Sequence, residues 1–188
     1  MSRFAPLRAR MASVEALGLK RELRELEMVD GVQGILNGRR VTVFCSNDYL
    51  GLAHHPDVQG AFDGAGAGAS RLISGNRPAH VALEERISDL FGRPATLFSS
   101  GYHANLALMS TAVEPGDRVA SDALNHASLI DGLRLSRAMR QVLPHGDPSG
   151  IEPGTRMVVV EGVYSMDGDI APLAEICDLV EGPVSGEV

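Results

Sequence analysis

From Pro78 onward the chain alternates amphipathic stretches with short apolar runs, and that rhythm restricts the architecture more than any other feature. Pro78 to Phe91 reads as a helix: Pro78 suits the first turn, Val81, Leu83, Ile87, Leu90 and Phe91 supply the apolar positions, and Gly92 then Pro94 are stop signals. A short buried strand at Thr96 to Ser99 follows. Next come helix 105–112, strand 118–121, helix 128–138, strands 141–143 and 157–161, and helix 172–180. Strands alternating with helices in this way predict an α/β fold with a mainly parallel sheet flanked by helices. The 188 residues, 44% of them hydrophobic, are enough to bury one such core.

The segment ahead of this region is of a different kind. Val14, Leu17, Leu19, Leu23 and Leu26 recur at mostly helical spacing behind Ser13, which predicts an N-terminal helix from Val14 to Glu27 with Lys20, Arg21 and Arg24 on its polar face. Asp30-Gly31 and Asn37-Gly38 are turn signals, and Val41 to Cys45 reads as a strand, so a small hairpin is expected. Val58 to Phe62 reads as helix, and the alternating glycines from Gly64 to Ser70 as loop. The expected organisation is therefore residues 1–46 as a helix-and-hairpin segment and residues 47–188 as part of a larger domain.

A formal net charge of -7 leaves no basic surface to neutralise a nucleic-acid backbone. No apolar run approaches the roughly 20 residues that span a bilayer, and the Arg-rich start lacks the apolar core of a secretory leader. A cytoplasmic protein that binds neither nucleic acid nor membrane is expected. Cys45 and Cys177 match no metal-ligand spacing, so no metal site is expected and both are read as buried thiols. Of the 17 basic residues only Lys20 is a lysine.

Three polar clusters fall where strands end, the edge at which open α/β sheets bind ligands. Ser99-Ser100-Gly101-Tyr102-His103 places free amides and a helix dipole where an anion such as phosphate could sit. Asp122 to Ser128 contains His126, whose role could be capping or ligand contact. Glu161 to Asp169 adds a turn at Asp167-Gly168 and the Ser165 hydroxyl. Gly64, Gly66 and Gly68 do not form a dinucleotide fingerprint, because a helix rather than a strand precedes them.

Four motifs carry a family resemblance: Asn47-Asp48-Tyr49-Leu50-Gly51-Leu52, Ser70-Arg71-Leu72-Ile73-Ser74-Gly75-Asn76, Asn125-His126-Ala127-Ser128, and Glu161 through Asp169. In this order the sequence resembles the α-oxoamine synthases, pyridoxal 5'-phosphate (PLP) enzymes of fold type I that are homodimers with shared active sites. The resemblance implies decarboxylative condensation of an amino acid with an acyl-CoA. It assigns Gly101 and Tyr102 to the cofactor's phosphate side and His126, the catalytic candidate, to stacking on the pyridine ring. Ser165 falls near the ring's phenolic oxygen, and Asn47 and Tyr49 border the substrate. The branch belonging to biotin biosynthesis is nearest, because Arg21 sits where that branch holds its acyl substrate's carboxylate. The aminoketobutyrate-, aminolevulinate- and ketosphinganine-forming branches share most other motifs.

The resemblance runs from about Arg21 to about Val180. The sequence is therefore read as the N-terminal portion of such an enzyme, truncated before the Schiff-base lysine. An amine must condense with the cofactor's aldehyde, and arginine cannot replace it. Two expectations follow. Either the chain is a truncated or split enzyme, a homodimer or one complemented by a C-terminal half, or it is a non-catalytic remnant acting through dimerisation or partner binding. Unpaired sheet edges and exposed apolar surface are expected to make the chain marginally stable alone.

Overall fold

A computed structural model describes residues 4–61 and 66–180. The chain forms two compact units, Met1–Gly66 and Ala67–Val188. Gly64 of the glycine loop, Phe62, and the segment after Val180 lie outside the described residues.

In the first unit, helix α1 spans Ala5–Ala16, earlier than the expected Val14–Glu27. Pro6 starts it, where a missing amide costs no helical hydrogen bond, and Gly18, at φ +68, turns the chain out of it. The apolar residues beyond Gly18 follow another period: Leu26–Met28 forms strand β1, pairing antiparallel with β2 (Gln33–Leu36), which pairs with β3 (Arg39–Thr42). The expected hairpin is thus the second half of a three-stranded meander. Its turn places Asn37 and Gly38 at φ 52 and 74, the left-handed pair that matches strand twist in a two-residue hairpin. At the other turn the Asp30 carboxylate accepts from the amides of Val32 (2.9 Å) and Gln33 (2.7 Å), and these bonds lower its pKa. Helix α2 spans Pro56–Gly60.

The second unit carries the βαβ rhythm. Helix α3 (Pro78–Phe91) ends on Gly92 as expected, followed by α4 (Gly101–Thr111), β4 (Arg118–Asp122), α5 (Ala127–Ser136), β5 (Met139–Leu143), β6 (Met157–Val159) and α6 (Leu173–Leu179). The sheet is parallel with order β5-β4-β6. Segment 96–99, expected as a buried strand, pairs with no described strand, and Thr96 and Phe98 are exposed. Side chains satisfy its backbone instead. The Leu97 amide donates to Glu84 (2.7 Å), the Ala95 amide to Ser88 Oγ (3.0 Å), and Arg71 donates to the Leu97 carbonyl (3.3 Å). Arg71 also grips Glu84 through both terminal nitrogens, at 2.6 and 2.8 Å, and holds that carboxyl down at about 2.

The core joins α4, β4, α5 and β6 through Met109, Val113, Val119, Leu129, Leu133 and Val159. Helices α4 and α5 cross so closely that a Cβ on Gly132 would lie 2.7 Å from Met109 Cβ and 3.1 Å from the Asn105 carbonyl oxygen. Gly132→Ala gains about 1 kcal/mol of helix propensity but forces the helices apart. A net loss of about 1–2 kcal/mol is expected in urea unfolding; an unchanged midpoint would show that the crossing yields freely. Cys45 and Cys177, expected to be buried, are exposed. Cys45 lies past the end of β3, and Cys177 follows the buried Ile176 on the outward side of α6. No helix among the described residues is long and apolar enough to cross a membrane.

Candidate functional site

Because β4, β5 and β6 are parallel, their carboxyl ends deliver three loops to one rim: 122–126, 144–147 and 160–170. Asp122 anchors the rim. Only 4% exposed, it accepts from the amides of Leu124 (2.7 Å) and Gly146 (2.9 Å) and from His145 Nδ1 (2.9 Å). Burial pushes its carboxyl up, but these hydrogen bonds more than reverse the effect and leave it lowered. The other nitrogen of His145 lies 2.8 Å from the Asp169 carboxylate, and its ring meets Tyr164 edge-on at 4.5 Å. Tyr164 is buried, and burial, then the Asp122 charge, pushes its hydroxyl up to about 12. Asn125, also buried, donates to Ser121 Oγ (3.0 Å) and to the Val159 carbonyl (2.7 Å), so one amide ties the end of β4 to that of β6.

His126 settles the capping question raised by the sequence. Its Nδ1 accepts from the Ser128 amide (3.2 Å) and lies 2.7 Å from Ser128 Oγ, capping α5, while the residue stays exposed. Its own amide donates to Glu161 on the strand β6 side. Ser128 Oγ accepts from Asn105 Nδ2 at 2.9 Å, one turn into α4. Asn105, Ser128, His126 and Glu161 thereby link the start of α4, the start of α5 and the loop after β6.

At the start of α4, Ser100 Oγ accepts from the His103 amide (3.2 Å) and the Ser100 carbonyl from the Ala104 amide (3.1 Å). Among the described residues no partner meets the Gly101 and Tyr102 amides, the two donors that the helix leaves open. The space beside Gly101 is open. The Tyr102 hydroxyl donates to Asp131 on α5 at 2.6 Å, which raises the phenol's pKa and orients its ring. A first turn with unpaired amides and an exposed imidazole held by its cap fits the phosphate and flat ring of PLP.

The structure therefore brings Gly101, Tyr102, His126 and Ser165 into one unit, with Ser165 exposed on the 160–170 loop. Arg21, Asn47 and Tyr49 belong to the other unit. Arg21 follows α1 instead of lying on a helix, because Gly18 has already ended it. Tyr49, 86% exposed, is 3.4 Å from Asn47 Oδ1. Sequence reasoning missed His145. The signal was there, in Pro144-His145-Gly146-Asp147 directly after an apolar strand at the ligand-binding end of the sheet.

The sequence profile of the aminotransferases of class I and II matches residues 39–183. The chain belongs to the aminotransferase class I and II family. Among relatives within this family, the 8-amino-7-oxononanoate synthase of Burkholderia cenocepacia (strain HI2424) is 44% identical over 199 residues, taking in 96% of this chain and 49% of that protein. The same enzyme of Alkalilimnicola ehrlichii is 47% identical over 184 residues, taking in 90% and 47%. Of solved structures, Sphingomonas wittichii serine palmitoyltransferase superposes with a TM-score of 0.76 at 32% identity, over 93% of this chain and 48% of that one. A serine palmitoyltransferase from S. paucimobilis with a bound PLP–myriocin aldimine does so at 0.75 and 29%, with the same coverage. The chain spans about half the length of the curated relatives it matches. The resemblance to the α-oxoamine synthases and the partial type I fold, read from the motifs, are both borne out.

Proposed function

We propose that the chain is the cofactor-binding portion of an α-oxoamine synthase of the 8-amino-7-oxononanoate type, which condenses an amino acid with an acyl-CoA and releases carbon dioxide. One observation carries the reading: the helix that opens with the free Gly101 and Tyr102 amides is tied, through Asn105 and Ser128, to the capped imidazole of His126. Identities of 44% and 47% to oxononanoate synthases, over 96% and 90% of this chain, support the branch.

An electron sink for charge developed at the amino acid's α-carbon is what PLP contributes when bound. The chain's own residues hold and orient. Gly101 and Tyr102 amides receive the phosphate, aided by the α4 dipole. His126 would stack its face on the pyridine ring, and its Nδ1, engaged by Ser128, keeps the imidazole from turning. The Ser165 hydroxyl donates near the phenolic oxygen. By the resemblance, Arg21 would pair with an acyl substrate's distal carboxylate, and Asn47 and Tyr49 would border a substrate site, one shared with a partner subunit.

The lone lysine among these residues, Lys20, is paired with Glu15 at 2.8 Å in the other unit, which favours a second reading: the reactive amine comes from outside these 188 residues. Titrating PLP into the purified chain and following the cofactor's absorbance tests the first reading. Binding that borohydride does not render covalent is expected. His126→Asn, which keeps the cap but removes the aromatic face, is expected to weaken it about five- to tenfold, the worth of roughly 1–1.5 kcal/mol of ring stacking. Equal affinity of parent and variant would remove His126 from the ring contact. Adding a candidate C-terminal half and finding covalent fixation would favour the second reading.

A further inference from the structure

His145 has no part in the roles above, yet it joins two of the loops that make the rim. Its Nδ1 lies 2.9 Å from Asp122 and its Nε2 2.8 Å from Asp169. Carboxylates that accept hydrogen bonds on both sides require an N–H on each nitrogen, so the ring is an imidazolium in this arrangement. Asp169 in turn closes the loop that bears Ser165. Its carbonyl accepts the Tyr164 amide (2.9 Å), and the Tyr164 carbonyl accepts the Gly168 amide (2.8 Å). We propose that His145 is a positioning residue: doubly protonated, it clamps the 164–169 turn to the end of β4 and so fixes Ser165 at the carboxyl rim of the sheet. The part that concerns Ser165 rests on the cofactor reading above; the clamp itself does not.

The groups facing the imidazole are few. The β4 terminus contributes Asp122, and the loop after β6 contributes the Asp169 carboxylate and the edge of Tyr164. On the imidazole's own segment, Asp147 gives its carboxylate to the Ser149 amide at 3.0 Å. Pro172 and Ile176, at the base of α6, line the same side of the rim as Asp122 and Gly146 and are apolar. Hydrogen bonding to Asp122 raises the histidine's pKa, partly opposed by burial and assisted by Asp169. A raised folded pKa means that the clamp is complete below the usual histidine value and is lost as pH rises through the folded one.

Amide hydrogen exchange on the full 188-residue chain tests this, with protection factors corrected for the intrinsic pH dependence. Protection of the Tyr164 and Gly168 amides is expected to fall about tenfold between pH 6 and pH 9, the worth of one charge-assisted hydrogen bond, while α5 amides keep theirs. His145→Gln, which cannot donate to both carboxylates, is expected to show the low value at every pH. Asp169→Ala removes the loop-side acceptor, leaves the buried Asp122 contact in place, and is expected to loosen the same two amides with the core unchanged. Ring 15N spectra at pH 6 are expected to show protons on both nitrogens. Protection that ignores pH in the parent chain, or a His145→Gln variant as protected as the parent, would overturn the clamp. Affinity for PLP reads the Ser165 link separately: a cofactor that fails to bind the parent chain tells against the cofactor reading, whereas exchange results judge the clamp on their own.

Discussion

Asp122→Ala is expected to lower the unfolding free energy by about 3 kcal/mol, with the urea midpoint falling by about 2 M at an ordinary small-domain slope. The carboxylate is buried and serves three donors, so its removal strands the amides of Leu124 and Gly146 and leaves His145 facing a void. The loss falls at the low end for breaking a buried ion pair because His145 is 27% exposed and keeps some water. Asp122→Asn retains an acceptor for one amide and is expected to lose about half as much. Urea unfolding followed by far-ultraviolet circular dichroism reads both; an alanine variant as stable as the parent would mean that the rim is not anchored there.

Leu133→Ala is expected to cost about 3 kcal/mol by the same measurement. Leu133 is 1% exposed and packs in the cluster that joins α4 and α5 to the sheet, where the close crossing at Gly132 keeps the helices from settling into a cavity. Two residues on, Leu135 is 60% exposed, and Leu135→Ala is expected to change stability by less than about 0.5 kcal/mol. Similar losses at both positions would show that helix propensity, not core packing, governs α5.

Much of the second unit was legible because its signals are local. Pro78 and Gly92 bracket α3, and the β-branched run Val158 to Val160 marks a strand whatever its neighbours. The first unit was harder, since Leu17, Leu19, Leu23 and Leu26 suit a helical period until one knows that Gly18 takes a left-handed turn. Segment 96–99 misled for the opposite reason: its composition fits a strand, but being a strand requires a partner, and here Glu84, Ser88 and Arg71 supply its hydrogen bonds. At the rim, turn chemistry pointed to the amides around Gly101, although α4 begins there rather than at the expected 105, and left His126 between cap and ligand contact. The turn around His145 marks its place at a strand end, but its role could not be read there, because its two carboxylate partners lie 23 and 24 residues away.

The common direction of β4, β5 and β6 also divides the labour between the ends of the sheet. The side chains that build the candidate site lie at or past the strands' last residues, from Asp122 onward, whereas the connection ahead of β6 carries contacts such as Arg118 with Glu152. Changes of length or charge at the rear connections are therefore expected to leave the Asp122–His145–Asp169 contacts at the forward rim in place.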